Sequence, residues 1–205
     1  APHYGAGSSE RRVGEFLRTK PREQFVLTTK VGRLLVPTDD DVEGVDGFFG
    51  GGQYHRVLDY TADGVRRSVE ESLDRLGLDR VDGLYVHDAD DHLDQAVAEA
   101  VPALVELRRQ GVVSHVGAGM NSVGPMKRIV TETDADQVML AGRYTLLDRS
   151  AESDLLPTCA ARSVAVVAAG VYNSGLLADP RPGATFDYRD APPDLVERAR
   201  SMQRL

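Results

Sequence analysis

The amino-acid sequence predicts an α/β fold of repeated strand–helix units with parallel strands. Three observations carry the prediction. Helical apolar stripes alternate with short apolar or β-branched runs, at roughly one strand–helix unit per 25–30 residues. The strand-like runs lack strict in/out alternation, as expected of parallel strands covered on both faces. The chain of 205 residues, 41% hydrophobic and 27% charged, is long enough to bury one sizeable core. Periodicity alone leaves an open doubly wound sheet and a closed barrel as equal alternatives.

Each element has a local reason. Helix periodicity covers residues 9–18. From Thr61 the residues Val65, Val69, Leu73 and Leu76 form one stripe, with Thr61 as N-cap, Asp63 in the first turn and Gly77 at the C-terminal cap. Residues 93–110 carry Leu93, Val97, Val101, Leu104 and Leu107, and Pro102 predicts a kink or a fresh start inside that helix. Shorter helices are expected over 125–132, 152–162 and 194–205. Strands are expected over 25–29, 83–87, 115–118, 137–141 and 164–168. Residues 31–59 interrupt the rhythm with an Asp39-Asp40-Asp41 run and Gly47-Phe48-Phe49-Gly50-Gly51-Gly52, and are expected to be one long βα loop. No internal domain boundary is visible. The chain opens at Ala1 on a turn-like segment and stops at Leu205 inside a helical pattern, so a single domain truncated at both ends is expected.

Composition excludes several functions. With 32 acidic against 24 basic residues the net charge is −8, which repels phosphate backbones, so no nucleic-acid partner is expected. No apolar run approaches the length of a membrane span, and no signal segment opens the chain. The one cysteine, Cys159, falls on an apolar helix face as a buried, unreactive thiol, which fits the reducing cytoplasm.

In parallel α/β folds, chemistry gathers at the C-terminal ends of the strands. The residues found there are Lys30, His87, Asn121 and the run Tyr172-Asn173-Ser174-Gly175. Taken singly, Lys30 reads equally as a surface cation, His87 as a hydrogen-bonded structural residue, and Tyr4 as a turn tyrosine. Together the segments Ala1-Pro2-His3-Tyr4-Gly5, Thr29-Lys30-Val31-Gly32 and Leu84-Tyr85-Val86-His87 resemble the aldo-keto reductase family in order and spacing. Val86-His87-Asp88, Gly117–Asn121, 140–148 and 171–177 extend the likeness over essentially the whole chain, toward the bacterial aldose dehydrogenases.

The resemblance implies a (β/α)8 barrel that binds NAD or NADP across its C-terminal face without a separate dinucleotide domain. It implies Tyr4 as the acid/base, Lys30 as its cationic neighbour and His87 as the group that orients the substrate oxygen. A cation within a few Å of a phenol favours phenolate, and a positioned proton-transfer group is worth about 10²–10⁴ in rate. It implies an Asp five positions before Tyr4, hence before Ala1. Asn121 matches the residue that bonds the nicotinamide carboxamide, although an Asn starting the next helix reads as well. Tyr172, Asn173, Ser174, Gly175 and Leu176 match the segment whose backbone approaches the pyrophosphate, with Gly175 allowing close approach. Ala141 and Ala169 replace a Gln and an aromatic ring that many relatives carry at the nicotinamide. His3, Phe48, Phe49 and Tyr54 are candidate substrate contacts, or simply loop aromatics closing the barrel mouth.

The function expected is oxidation of an aldose such as L-fucose, D-arabinose or L-galactose at C1 to the lactone, or the reverse reduction. Pyridoxal or another small aldehyde is the alternative substrate. Two other classes are less favoured alternatives: a metal-dependent hydrolase built on His87-Asp88-Ala89-Asp90-Asp91-His92, and a non-catalytic barrel subunit. No metal is expected.

Overall fold

The computed structural model describes residues 1–42, 44–45 and 53–204. Its centre is a sheet of five parallel strands, in the order β1 (Thr28–Val31), β4 (Gly83–His87), β5 (His115–Met120), β6 (Gln137–Ala141) and β7 (Ala165–Ala169). Helices follow the strands: α2 (Ala62–Leu76), α4 (Val101–Arg109), α5 (Val123–Glu132) and α6 (Leu155–Ala161), while α1 (Ser8–Leu17) precedes β1. This is the strand–helix alternation of the barrel fold, and the five strands do not close on themselves. β4 is buried along its whole length, and β7 lies half exposed at the edge. The main core packs Leu84, Val86, Val116, Ala118, Val138 and Leu140 against Val65, Leu104, Met126, Ile129 and Leu155 from the helices.

Helix ends obey the local chemistry. The Thr61 hydroxyl accepts from the Gly64 amide at 3.0 Å, and Gly77 closes α2 at φ +61. Pro102 does reshape its helix. Leu93–Gln95 (α3) passes through a π-helical turn, Ala96–Ala100, into α4, and the widened turn lies just before the residue that lacks an N–H.

Two expectations need correction. Residues 31–59 are not one irregular loop. They contain an antiparallel hairpin, β2 (Arg33–Pro37) against β3 (Tyr54–Leu58), with Arg33 opposite Leu58 and Pro37 opposite Tyr54. Its strands are short, and the acidic and glycine-rich segment between them hides the pairing. The first parallel strand also begins three residues later than expected. Leu27 gives its amide to the Asp82 carboxylate at 2.7 Å, so its N–H is taken by a side chain, while its carbonyl accepts the Asp82 amide at 2.7 Å just before the paired strand begins.

The chain continues from β7 through a turn to the small hairpin β8 (Thr185–Phe186) and β9 (Arg189–Asp190), then α7 (Pro193–Gln203). α7 packs Val196 and Ala199 on Leu147 and Leu176 in a second, smaller cluster. Cys159 is buried and unpaired, and burial raises its thiol. Among the described residues no helix is long and apolar enough to cross a membrane.

Candidate active site

Three residues far apart in sequence meet at one end of the sheet. Tyr4 sits in the turn that leads into α1, Lys30 lies near the end of β1, and His87 ends β4. β1 and β4 pair in parallel, which sets Lys30 and His87 on neighbouring strands. Lys30 Nζ donates to Tyr4 Oη at 2.8 Å; His87 Nε2 lies 3.4 Å from the same oxygen and 3.5 Å from Nζ. His3 walls the cluster, its ring centroid 5.8 Å from Tyr4 and 5.7 Å from His87. Tyr4 is 41% exposed and His87 only 4%, so the phenol is open to a ligand and the imidazole is sunk behind it. Beneath them is a cavity of about 260 Å³, lined by Tyr4, Lys30, Thr29, Tyr85 and Met139 among others.

His87 is neutral. Burial, reinforced by the Lys30 and Arg33 cations, lowers it to about 2. Its Nδ1 is buried with no hydrogen-bond partner among the described residues, whereas Nε2 faces oxygen atoms of Tyr4 and Asp88. An N–H without an acceptor is costlier than a bare lone pair, so the single proton belongs on Nε2, facing the phenol. An imidazole of this kind takes up its proton only on unfolding. Its contribution to stability is complete above the unfolded value near 6.5 and declines as pH falls toward 2. Between pH 7.5 and pH 5 the expected decline is about 2 kcal/mol. Urea unfolding of wild type and His87→Gln at both pH values measures it, and an equal decline in the two proteins rules the assignment out.

The backbone around His87 is held from below. Tyr60, fully buried and kept protonated by a hydroxyl raised to about 12 through burial, donates to the carbonyls of His87 at 2.7 Å and Asp88 at 3.0 Å. Gly32, at φ +100, makes room: a Cβ there would stand 2.3 Å from the Tyr60 ring. Arg33 reaches Asp88 Oδ2 at 3.5 Å, and that oxygen lies 3.3 Å from His87 Nε2. Burial raises the Asp88 carboxyl, against the opposing pull of Arg33 and Lys30. In the sequence Arg33 and Tyr60 belong to no motif, and Asp88 stands out only within one. The signals for them are Gly32, two residues after Lys30, and a tyrosine directly before a helix cap.

The remaining candidates are distributed unevenly. Asn121 follows β5, two residues beyond Gly119, which pairs with His87. In the turn after β7, Asn173, Ser174 and Gly175 all take positive φ, at 49°, 57° and 88°. A Cβ on Gly175 would meet nothing within 4 Å, so within the chain glycine serves the backbone conformation there rather than a tight approach. Asn173 turns inward, donating to the Gly142 carbonyl at 3.2 Å, and Leu176 is buried against α7. Their side chains therefore hold the turn. Tyr172 lines a separate groove of about 810 Å³ with Tyr144, Leu146, Arg149 and Met202. Tyr54 also stands apart from the cluster, lining a cleft with Leu35, Arg67, Glu71 and Arg75 on the α2 side. Phe48 and Phe49 lie outside the described residues. In the acidic run after β4, His92 packs on the Tyr60 ring. Among the described residues no three His, Cys, Asp or Glu side chains form a group able to hold a metal ion.

Comparison with known proteins identifies the family. The model of the aldo/keto reductase family matches residues 1–203. The chain belongs to the aldo/keto reductase family. It is 46% identical over 211 residues to a D-threo-aldose 1-dehydrogenase from a Pseudomonas species, covering 97% of this chain and 62% of that protein. It is 41% identical over 218 residues to a pyridoxal 4-dehydrogenase from Microbacterium luteolum, covering 97% of this chain and 64% of that protein. The chain thus spans less than two thirds of the length of these relatives. Its fold matches the holo form of an aldo-keto reductase from Bacillus halodurans with a TM-score of 0.72 at 24% identity, over 99% of this chain and 60% of that one.

Proposed function

We propose that this aldo/keto reductase chain carries the proton-transfer machinery of an NAD(P)-dependent oxidoreductase that oxidises an aldose at C1 to the lactone, or runs the reverse carbonyl reduction. The observation that carries the reading is the single oxygen, Tyr4 Oη, contacted by the Lys30 ammonium at 2.8 Å and faced by a neutral His87 at 3.4 Å. In oxidation, the C1 hydroxyl gives its proton to the Tyr4 oxygen. Lys30, donating into that oxygen, stabilises the negative charge Tyr4 carries when it acts as the base. His87 Nε2–H donates to the substrate oxygen and fixes it within reach of Tyr4. In reduction the same proton travels back. The nicotinamide, when bound, accepts or supplies the hydride at carbon.

The chain's donor set fits such a cofactor. The turn at residues 170–177 leaves open space beside Gly175, and Ser174 adds a hydroxyl there. Asn121 would hold the carboxamide, and the backbone of Tyr172, Asn173, Ser174, Gly175 and Leu176 would hold the pyrophosphate. The 46% identical relative, a D-threo-aldose 1-dehydrogenase, supports an aldose, and His3 and Asp88 supply polar groups suited to a hydroxylated substrate. The 41% identical relative, a pyridoxal 4-dehydrogenase, supports pyridoxal as the second reading. The free, buried Cys159 suits the cytoplasm.

The test is a panel of aldoses and pyridoxal with NAD and with NADP, followed by cofactor absorbance. Aldose turnover at least about tenfold above pyridoxal in kcat/KM is expected. The reverse order overturns the aldose reading.

A further inference from the structure

Asp88 is set beside the reacting groups by a left-handed backbone conformation, uncommon outside glycine though better tolerated by Asp and Asn than by most residues. Its φ is +43, in the left-handed region. The Tyr60 hydroxyl holds it there through both flanking carbonyls, and Arg33 holds the carboxylate at 3.5 Å. Turned this way, Oδ2 comes within 3.3 Å of His87 Nε2, the nitrogen that faces the Tyr4 oxygen. The Asp88 side chain is 42% exposed where His87 is 4%, so the carboxylate, unlike the imidazole, is open to solvent and within reach of a ligand.

A carboxylate only accepts hydrogen bonds. It offers nothing attractive to a carbonyl or alkoxide oxygen held between Tyr4 and His87, and it repels the charge that oxygen develops. What it attracts is a hydroxyl. In an aldose the carbon next to C1 carries one, with its oxygen about one hydrogen-bond length from the reacting oxygen. We infer that Asp88, braced by Arg33, is a specificity-determining residue: it accepts a hydrogen bond from the hydroxyl on the carbon adjacent to the reacting one. It thereby selects α-hydroxylated substrates over simple aldehydes. The inference rests on the aldose reading above and names the group by which that substrate is recognised. It also gives the left-handed backbone at Asp88 a use.

The experiment compares an aldose with its 2-deoxy analogue, in the full chain with NAD(P). The variants are Asp88→Gly and Asp88→Asn, because both residue types tolerate positive φ and keep the backbone as it is. Wild type is expected to prefer the aldose by about ten- to hundredfold in kcat/KM, the range for a hydrogen bond to a charged group. Asp88→Gly is expected to bring the ratio to within about threefold of one, and Asp88→Asn to leave it between the two. The ratio, not either rate alone, is the readout, since both rates respond to any change beside His87. A ratio that survives in Asp88→Gly overturns the inference, as does a wild-type ratio near one with both sugars turned over. Wild-type turnover of aldehydes lacking hydroxyls, with neither sugar used, overturns the aldose reading and the inference with it.

Discussion

Tyr4→Phe is expected to lower kcat by at least about a hundredfold, and up to about ten-thousandfold, while cofactor affinity changes little. The substitution removes one oxygen and leaves the ring. That oxygen is the shared contact of Lys30 and His87, at 2.8 Å and 3.4 Å, so its removal takes away the atom on which the proposed proton transfer depends. The side chain is 41% exposed; without the hydroxyl the Lys30 ammonium still reaches solvent and the opened cavity, and the buried His87 Nε2–H still has Asp88 Oδ2 at 3.3 Å. Stability should therefore stay within about 1 kcal/mol of wild type. Steady-state kinetics with the best aldose, beside a direct cofactor titration, separate the two effects. Retention of a tenth or more of the wild-type kcat would sink Tyr4 as the acid/base. A parallel fall in cofactor affinity would assign Tyr4 to binding rather than to proton transfer.

How far the sequence could be read depended on what made each element legible. β4 was expected at 83–87 and is found there, because a run as apolar as Leu84-Tyr85-Val86 has no stable place except a covered strand. The second helix was legible from its caps as well as its stripe. Tyr4, Lys30 and His87 are individually ordinary, and only their order and spacing, through the family resemblance, announced that they meet. The hairpin of β2 and β3 was hidden because its two short strands are separated by 16 residues, so pairing is set by tertiary contact and not by a tight turn. That omission also explains Tyr54. A loop residue has no assigned face, whereas in a strand alternation decides which side it takes, and Tyr54 takes the side of α2. The bracing of His87 by Tyr60 and of Asp88 by Arg33 was invisible for a related reason. Each partner is an unremarkable surface-type residue until the hairpin and the β4 turn are brought together.

The second large effect concerns Glu10, which no motif marks. Its side chain is only 2% exposed, yet it carries a carboxylate. Oε1 accepts from the Thr29 hydroxyl at 2.6 Å and Oε2 from Arg75 Nε at 2.7 Å. Three elements are thereby tied at one point: α1, which follows Tyr4; β1, whose Thr29 precedes Lys30; and α2, which bears Arg75. The close approach of α1 to α2 is built into the sequence, since a Cβ on Gly14 would stand 2.0 Å from the Leu76 carbonyl oxygen. Glu10→Leu keeps the volume roughly and removes the acceptor, leaving the Arg75 guanidinium, 12% exposed, without its buried counter-charge and Thr29 without its acceptor. The expected cost is about 3–5 kcal/mol, as for breaking one side of a buried ion pair. Glu71, 3.7 Å from Arg75 on the same helix, recovers some of it and sets the expectation nearer the lower end. The double change Glu10→Leu with Arg75→Leu should be less damaging than Glu10→Leu alone, because the guanidinium is removed together with the carboxylate that it pairs with. Urea unfolding of the three variants in a double-mutant cycle measures the coupling. A loss below about 1 kcal/mol for Glu10→Leu, or a double variant worse than the sum of the single ones, would show that the carboxylate does not hold these elements together. If the expected pattern holds, the distance between Tyr4 and Lys30 is set from inside the protein, by a buried charge that joins the segments carrying them.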